Sequence, residues 1–340
     1  MPPTVPVSRK DVAPAARGLH LPPCPPAWLV FCTSRELRRT PVRRVVCGRQ
    51  LVAFRAASGS VAVLDDRCSH MGASLSQGEV VGDSLRCPFH HWEYDATGAC
   101  TRIPSCEQIP PLARQRAYPT RELHGCVFFY AGDEPEYAFP FFEGLHSDEL
   151  CRAEPFALEL DCPWYMVGAN GVDVQHFRTT HNRTLLGDLQ VEQPHPFQHC
   201  VTTRFAVSGN SLADRVTRMF AGPEVTMHVS DWGGTLFFVT ATFSRTRTYG
   251  MVSLQPLERN RTRVVVTVAV RKRDSLFGSW TDPVRARIRR SFVHAFLAPD
   301  VARSAGTDVR RETLIETDEP LRGYFDWLES LYATPPRDQP

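Results

Sequence analysis

Two short clusters of cysteine and histidine constrain this chain more than any other feature of its sequence. Cys68 and His70 form the first cluster, Cys87 and His90 form the second, and 16 residues separate the two. Two thiolates and two imidazoles at this spacing indicate one metal centre within a small domain. The fold must therefore bring together the two loops that carry them.

Two kinds of metal centre accept two cysteines and two histidines. A structural zinc site commonly pairs like with like, as C-x2-4-C and H-x3-5-H. In a Rieske [2Fe-2S] cluster, one iron has two cysteines and the other has two histidines. Each cluster of this chain holds one residue of each type, which favours the Rieske cluster, while zinc remains the alternative. Gly72, Gly78 and Gly82 permit the tight turns that such loops need.

The two clusters, written C-x-H and C-x2-H-x-W, resemble the Rieske domain of ring-hydroxylating oxygenases. Respiratory Rieske proteins carry another cysteine three residues after the first histidine, whereas this chain has Ala73 there. The resemblance therefore implies an oxygenase-type cluster of lower potential. His91 departs from the pattern, which usually has glycine, and we interpret it as a surface or supporting histidine.

A second candidate metal site lies further along the chain, where Asp173, His176 and His181 form the pattern D-x2-H-x4-H. Non-haem iron(II) oxygenases bind iron through two histidines and one carboxylate, which leaves positions open for O2 and substrate. His176 and His181 would supply the imidazoles. On an ideal helix they are about 140° apart, so we expect an irregular turn at residues 178–180. A regular helix that points the His181 ring to solvent would argue against the ligand role.

The third ligand should be a carboxylate well downstream. Asp300 lies four residues after Phe296 and continues an apolar helical stripe, although Pro299 is expected to kink or restart that helix. The competing carboxylates are Asp308, Glu312 and Asp318. The chain also resembles single-subunit oxygenases acting on sterols, such as the 3-ketosteroid 9α-hydroxylase and cholesterol 7-desaturase group. In that group an Asp-Val pair of a late helix supplies the carboxylate, and Asp300-Val301 matches it.

The same resemblance implies a role for Asp173. The matching aspartate bridges a histidine of the mononuclear iron and a histidine of the Rieske cluster in the next subunit. This role implies a homotrimer in which each cluster serves the iron of its neighbour. The other interpretations of Asp173 are a fourth ligand, a helix-surface charge, or an acceptor for a ligand imidazole. Asn170 is a further supporting candidate.

The pattern of short apolar segments indicates an all-β first half, and longer helical and strand patterns indicate an α+β second half. Residues 1–27 are rich in Pro and Ala and are predicted to be a disordered lead-in. We expect residues 28–140 to form the Rieske domain and residues 141–335 to form the mononuclear iron domain. The resemblance implies that the second domain has an antiparallel-sheet, helix-grip (START-like) fold.

Composition narrows the setting of the chain. The net charge of +2 gives no reason to expect nucleic acid as a partner, and no apolar run is long enough to span a membrane. The 11 cysteines belong to a long chain, which is not typical of a disulfide framework. We therefore expect the nine cysteines outside the metal motif to be small buried apolar residues, and the protein to be cytoplasmic.

Together these features predict the terminal oxygenase component of a Rieske non-haem iron oxygenase, with O2 as co-substrate. The chain has no G-x-G-x-x-G dinucleotide signature, so NAD(P)H should act through a separate flavoprotein reductase, with or without a ferredoxin. The substrate is expected to be small and apolar, steroid-like or a secondary metabolite, and to be hydroxylated, desaturated or cyclised. Residues 236–239 fit either an apolar pocket or an ordinary core. The alternative functions are a Rieske electron-transfer protein without catalytic iron and a zinc-stabilised binding module.

A basic segment lies within the predicted Rieske half. It contains Arg35, Arg38, Arg39, Arg43 and Arg44. An acidic ferredoxin could dock on this segment, and a solvated hairpin face is the alternative interpretation.

Overall fold

Short antiparallel strands with turns between them build the N-terminal half, as the sequence pattern predicts. The structure is a computed structural model that describes residues 19, 21–274 and 278–332. The strands of this half are β1 (Trp28–Thr33), β2 (Val42–Val46), β3 (Arg49–Arg55), β4 (Val61–Asp65), β5 (Glu79–Val81), β6 (Ser84–Arg86), β7 (Glu93–Tyr94), β8 (Cys100–Arg102), β9 (Ala117–Tyr118), β10 (Thr120–Leu123) and β11 (Cys126–Tyr130). They form three sheets, in the orders β1-β11-β10, β2-β3-β4-β9 and β5-β6-β7-β8.

Longer strands and helices build the C-terminal half. The strands are β12 (Leu150–Arg152), β13 (Phe156–Leu160), β14 (Arg183–Leu185), β15 (Gln190–His195), β16 (Gln198–Val207), β17 (Glu224–Trp232), β18 (Leu236–Phe243), β19 (Arg247–Glu258) and β20 (Arg261–Arg271). The helices are α1 (Trp164–Ala169), α2 (Val174–His181), α3 (Leu212–Phe220), α4 (Gly278–Arg303) and α5 (Glu319–Tyr332). Short 3-10 turns occupy Leu75–Gln77, Ser147–Glu149, Arg311–Thr313 and Glu316–Asp318. All nine strands join one antiparallel sheet, in which β16 to β20 pair consecutively.

The two faces of the nine-stranded sheet have different neighbours, because successive side chains of a strand point to opposite sides. Leu236 and Phe238 belong to an apolar core that includes residues of β1 and β11. Phe237 and Val239 point the other way and line a cavity that residues of α4 also line. In the strand register, Val239 lies opposite Val229 of β17. The sheet thus lies between the N-terminal half and the cavity, and segment 236–239 serves both core and pocket.

Buried polar side chains also join the two halves. The Thr235 hydroxyl donates a 3.0 Å hydrogen bond to the carbonyl of Trp28. The Gln255 side-chain amide donates a 2.8 Å bond to the carbonyl of Phe31. Each bond satisfies a polar group that would otherwise be costly to bury.

The chain just before Trp28 differs from the predicted disordered lead-in. Leu21 packs against the core of the C-terminal half, and the carbonyl of Pro22 accepts a 3.1 Å hydrogen bond from the Trp164 indole. Cys24 forms a disulfide with Cys47, so these two cysteines are not the isolated apolar residues that the sequence predicted. The predicted disorder therefore does not extend over residues 21–27, whereas residues 1–18 and 20 lie outside the described residues.

The remaining cysteines outside the metal motif mostly meet the prediction. Those that are buried are Cys32, Cys100, Cys126, Cys162 and Cys200, whereas Cys151 is half-buried and Cys106 is exposed. Across the described ranges, none of the helices has the length and apolar content needed to cross a bilayer.

Candidate metal centres and substrate cavity

Two neighbouring loops carry the cysteine and histidine clusters, one after β4 and one after β6. The thiols of Cys68 and Cys87 are buried, whereas His70 and His90 are exposed. The two imidazole rings pair with each other, with centroids 4.7 Å apart. Each loop thus contributes one inner thiol and one outer imidazole. This arrangement suits a two-iron cluster that has sulfur ligands on its buried iron and nitrogen ligands on its exposed iron.

Backbone hydrogen bonds fix the conformation of both loops. The N–H of Gly72 donates to the carbonyl of Cys68 at 2.8 Å, and the N–H of Cys68 donates to the carbonyl of Ala73 at 2.9 Å. In the second loop, the N–H of Cys87 donates to the carbonyl of Trp92 at 2.8 Å. Gly72 has φ of 75°, a left-handed conformation that glycine adopts without a steric penalty.

Two aromatic side chains support the ligand residues. Trp92 stacks on His70 with ring centroids 4.3 Å apart and an interplanar angle of 5°. The Tyr94 hydroxyl lies 3.2 Å from the Cys68 sulfur and 3.0 Å from the Ser69 hydroxyl. Burial raises the pKa of Tyr94, so its hydroxyl remains a hydrogen-bond donor at neutral pH. Sequence reasoning missed Tyr94, because only the fold places this residue of β7 beside Cys68.

Burial also controls the protonation of the Cys87 thiol. Burial raises the pKa of Cys87, and the adjacent Cys68 raises it further, while the N–H groups of Phe89 and His90 lower it by a smaller amount. The net result is a thiol that ionises less readily than usual. Thiolate is the metal ligand, so a metal would displace the proton on binding and compensate the buried charge.

His91 follows the ligand residue His90 directly, but its backbone is left-handed, unlike that of His70 and His90. It is exposed, and its φ of 59° falls in the left-handed region that favours glycine. This conformation gives a physical reason for the glycine in the resembled pattern. It also agrees with the interpretation of His91 as a surface residue.

The second candidate centre brings together His176, His181 and Asp300. The Nε2 atoms of the two histidines are 3.0 Å apart, and Asp300 Oδ1 lies 3.4 Å from the first and 3.2 Å from the second. Asp300 Oδ1 is buried and accepts no hydrogen bond from a described residue. Within the described part of the chain, these three side chains form a group whose possible ligand atoms all lie within 4.8 Å of one another. An unsatisfied carboxylate oxygen between two imidazole nitrogens fits a bound divalent cation, as in a two-histidine, one-carboxylate iron site.

Burial and neighbouring groups act in opposite directions on Asp300. Burial raises the pKa of its carboxyl, and the contacts with His176 and His181 lower it by more, so the pKa lies below its ordinary value. The carboxylate is therefore the favoured form. An anionic oxygen beside two imidazoles is the protonation state that a metal site requires.

The helix that carries both histidines corrects one prediction. Helix α2 is regular through His181, so the irregular turn expected at residues 178–180 is wrong. His181 is its last residue, and Asn182 follows with φ of 51°. The His181 ring is buried rather than pointed at solvent, and it lies at 81° to the His176 ring. The long imidazole side chains bridge the angular gap on the helix without a break in the backbone.

Helix α4 positions Asp300 against α2. The helix continues through Pro299 to Arg303, so the restart expected at Pro299 does not occur. Phe296 stacks on His181, with centroids 4.0 Å apart and an interplanar angle of 16°. Arg303 donates a 2.7 Å hydrogen bond to the carbonyl of Thr179 on α2. These contacts hold the carboxylate and the imidazoles on facing sides of two helices.

The competing carboxylates have other positions. Asp308 is exposed and accepts a 2.7 Å hydrogen bond from the Tyr165 hydroxyl. Asp318 accepts a 2.8 Å bond from the side chain of Gln175, and Glu312 is exposed. None of the three joins the group formed by the two histidines and Asp300.

Asp173 and Asn170 lie at the start of the helix that carries the histidines. Asp173 is the N-cap of α2, and its Oδ1 accepts a 2.9 Å hydrogen bond from the N–H of His176. The side chain is half-buried, and its Oδ2 forms no hydrogen bond with a described residue. Asn170 ends α1 and lines the cavity. Asp173 thus contacts the backbone N–H of His176 rather than its ring, and its second carboxylate oxygen is available for another contact.

The three side chains of the second centre line a cavity of about 1360 Å³. Apolar residues of the sheet and of α4 form much of its wall, among them Val229, Phe237, Val239, Val252, Phe292 and Phe296. A concave, mostly apolar space beside reactive groups is typical of a small-molecule site.

Sequence reasoning also missed a buried acid in this wall. Tyr324 donates a 2.8 Å hydrogen bond to Asp231 Oδ2, and the N–H of Gly234 donates a 2.8 Å bond to Oδ1. Burial raises the pKa of Asp231 to about 8, and these two bonds lower it by less. Asp231 is one residue within a β-strand, and only the fold shows that α5 covers it.

Comparison with known proteins agrees with this geometry. Residues 27–118 match the Rieske [2Fe-2S] domain family, and residues 128–332 match the family of the 3-ketosteroid 9α-hydroxylase C-terminal domain. The oxygenase component of 3-ketosteroid-9-alpha-monooxygenase from Rhodococcus rhodochrous is 27% identical over 307 residues, which are 84% of this chain and 76% of that protein. A cholesterol 7-desaturase from Ciona intestinalis is 32% identical over 186 residues, which are 52% of this chain. The matched part spans only 40% of the length of that desaturase.

Solved structures show the same fold. A crystal structure of dicamba monooxygenase bound to dicamba has a TM-score of 0.73 to this chain at 17% identity. The likeness covers 91% of this chain and 97% of that one. The architecture is therefore an all-β Rieske domain followed by an antiparallel-sheet catalytic domain of the helix-grip type, as the sequence predicted.

Proposed function

Because this chain belongs to the Rieske oxygenases, with a C-terminal domain of the 3-ketosteroid 9α-hydroxylase family, we propose that it is the terminal oxygenase component of such a system. It would act with O2 on a small, largely apolar molecule, which it hydroxylates, desaturates or cyclises. One observation carries the proposal. His176, His181 and Asp300 converge at the wall of a mostly apolar cavity, downstream of a Rieske domain.

The proposed ligands follow from the two centres. Cys68 and Cys87 would hold one iron of the [2Fe-2S] cluster, and His70 and His90 would hold the other. His176, His181 and Asp300 would hold the mononuclear iron. When bound, the cluster supplies electrons and the mononuclear iron supplies the activation of O2.

The residues of the chain orient these ligands and shape the site. Phe296 fixes the plane of the His181 ring by stacking, and the Asp173 cap fixes the first turn of the helix below His176. Phe237 and Val239 limit the access of water to the space where the substrate would lie. Substrate binding there would rest mainly on apolar contact and shape.

Asp173 would carry the electron link between subunits of a homotrimer. Two observations support this proposal. His70 and His90 are exposed, so a second subunit can reach them, and Asp173 Oδ2 has no hydrogen-bond partner among the described residues. The nine-stranded sheet also lies between the N-terminal half and the cavity, which favours a link to a neighbouring subunit over one within the chain.

The remaining assignments complete the proposal. Residues 28–140 would be the Rieske domain, and residues 141–335 the catalytic domain. Electrons would come from NAD(P)H through a separate reductase, with or without a ferredoxin, in the cytoplasm. The names of the relatives, a 3-ketosteroid monooxygenase component and a cholesterol 7-desaturase, favour a steroid-like substrate over other apolar molecules.

Metal analysis and oxygen uptake test the proposal together. The purified protein should contain the two irons of a cluster plus a mononuclear iron, with a Rieske electron-resonance signal. Oxygen uptake with a reductase should depend on an added steroid or polycyclic compound. Cluster iron alone would indicate an electron-transfer protein, and a colourless zinc protein would indicate a binding module. Either result would contradict the proposed activity.

A further inference from the structure

The charged side chains around the cavity are strongly unbalanced. The cationic ones are all arginine, namely Arg183, Arg245, Arg247, Arg271, Arg273, Arg285, Arg289 and Arg303. The acidic ones are Asp214, Asp231 and Asp300. Each acid is already engaged, Asp214 with Arg183, Asp231 with Tyr324, and Asp300 with the two histidines of the metal centre. Arg271 and Arg285 pair with Glu149 and Asp282, which do not line the cavity. The other arginines of the wall leave an excess of positive charge that its own acids do not neutralise.

Arg289 is the most informative member of this set. It donates a 2.8 Å hydrogen bond to the Thr246 hydroxyl. It forms no ion pair with a described residue, whereas the neighbouring Arg285 is paired with Asp282. A guanidinium has five N–H donors, so one bond to a threonine leaves most of them available.

The surroundings of Arg289 disfavour its charge. Burial lowers the pKa of its guanidinium, and the nearby Arg285 lowers it further. No carboxylate of the described chain compensates this cost. A half-buried cation without an acidic partner, at the wall of a cavity, is the environment in which an anionic ligand group gains most.

The position of Arg289 on α4 relates it to the metal centre. Arg289 and Asp300 are eleven residues apart, which places them about 20° apart around an ideal helix and roughly 16 Å apart along its axis. Phe292 and Phe296 lie between them and line the same cavity. One helix thus presents a cation, an apolar stretch and a metal-binding carboxylate along one wall.

We propose that the substrate is an elongated apolar molecule with a carboxylate at one end, bound by Arg289, while its far end reaches the metal centre. This inference rests on the proposed function, because it places the reacting carbon beside His176, His181 and Asp300. A planar carboxylate accepts two parallel hydrogen bonds from one guanidinium, which favours arginine over lysine at such a position. The apolar body of the substrate would lie along Phe292 and Phe296.

A binding experiment tests the proposal without turnover. The metal-loaded protein is titrated calorimetrically, without reductant, with 3-oxochol-4-en-24-oic acid and with its methyl ester, which lacks the charge. The wild type should bind the acid at least about tenfold more tightly than the ester, since hydrogen bonds to charged groups contribute that much or more. Arg289→Gln should remove most of this preference, and Arg289→Lys should restore part of it.

Arg287→Gln provides the matched control, because Arg287 is exposed on the same helix and does not line the cavity. This variant should keep the full preference for the acid. The iron content and the cluster spectrum of each variant show that it is folded and loaded. Equal binding of acid and ester by the wild type, or equal weakening of both by Arg289→Gln, would overturn the proposal. Oxygen uptake is measured separately, so a failure of the proposed oxygenase function would be seen even if the acid binds preferentially.

Discussion

The Nε2 atoms of His176 and His181 lie 3.0 Å apart, although the two residues are five positions apart on one regular helix. Their rings converge from different sides of α2 on Asp300 of α4. Such convergence would be costly without a ligand, because the Asp300 oxygen between them is buried and accepts no hydrogen bond from the described part of the chain. Iron would satisfy all three groups at once.

Replacement of Asp300 should separate the two metal centres. Asp300→Asn removes the anionic ligand but keeps the size of the side chain, so we expect loss of the mononuclear iron and retention of the cluster spectrum. Oxygen uptake should fall by more than the roughly 10- to 100-fold typical of the loss of an outer partner of a metal ligand. Asp308→Asn is the control, since Asp308 is exposed and away from the histidines. Equal iron content in both variants would remove Asp300 from the ligand set.

Replacement of Asp173 should distinguish helix capping from electron transfer. Asparagine is about as good an N-cap as aspartate, so Asp173→Asn should leave the free energy of unfolding nearly unchanged while it removes the charge. Asp173→Ala should lower that free energy by about 0.5–2 kcal/mol through the lost cap. If Asp173 links the centres, both variants should slow reoxidation of the reduced cluster in the presence of substrate, with full iron content. If Asp173→Asn reoxidises its cluster at the wild-type rate, Asp173 acts only as a helix cap.

Local spacing explains why ligands for the first metal site could be proposed from the sequence, whereas the geometry of the second site could not. The four proposed cluster ligands lie in two segments of a few residues each, and the structure places these two loops side by side. His176 and His181 are also close together in the sequence. Their convergence was predicted to need a distorted helix, because the argument from ideal helix angles ignores the length of an imidazole side chain. Asp300 could be proposed from its helical stripe and from resemblance alone.

Features that depend on tertiary contact could not be read from the sequence. The pairing of Cys24 with Cys47 and the cover of α5 over Asp231 bring together residues that are distant in the chain. The same holds for Arg289, which looks like an ordinary surface arginine of an amphipathic helix until the cavity beside it is known. No periodicity within one element carries such information.

His91 provides a test of backbone strain near the cluster. Its φ of 59° costs a non-glycine residue about 1–2 kcal/mol, and the greater flexibility of unfolded glycine offsets about half of this. We therefore expect His91→Gly to raise the free energy of unfolding of the metal-loaded protein by about 0.5–1 kcal/mol, measured by chemical denaturation. His91→Ala, which keeps the strain, should not. Loss of the cluster spectrum in the glycine variant would instead indicate that the His91 side chain supports the cluster.

The raised pKa of Asp231 predicts a pH dependence of stability. In the unfolded chain this carboxyl ionises near pH 4, whereas in the folded protein it keeps its proton up to about pH 8. The unfolded state therefore binds fewer protons than the folded state between these values. As a result, the free energy of unfolding should fall by about 1.4 kcal/mol for each pH unit as pH rises from about 4 to about 8. Asp231→Asn should remove this slope. Parallel pH profiles of unfolding free energy for wild type and variant would contradict the assignment.

The arginines of the basic segment are not equally suited to a test of ferredoxin docking. Arg44 pairs with Glu36, and Arg43 Nε lies 3.2 Å from Oδ2 of Asp66, whose side chain has no exposed area. Charge reversal at Arg43 would therefore leave a buried carboxylate unpaired and destabilise the domain.

Arg38 and Arg39 suit the docking test better. Both are exposed, and neither forms an ion pair with a described residue. If an acidic ferredoxin docks on this segment, the double variant Arg38→Glu, Arg39→Glu should slow cluster reduction by about tenfold or more at low ionic strength, and added salt should narrow the difference.

A double variant with the same change in net charge provides the control. Arg204→Glu combined with Arg310→Glu alters two exposed arginines of the catalytic half and should leave the reduction rate near that of wild type. Stopped-flow spectroscopy with the reduced ferredoxin measures the rate of cluster reduction in the wild type and in both double variants. Equal slowing by both double variants would assign the effect to overall charge, and the segment would then be a solvated face of the hairpin.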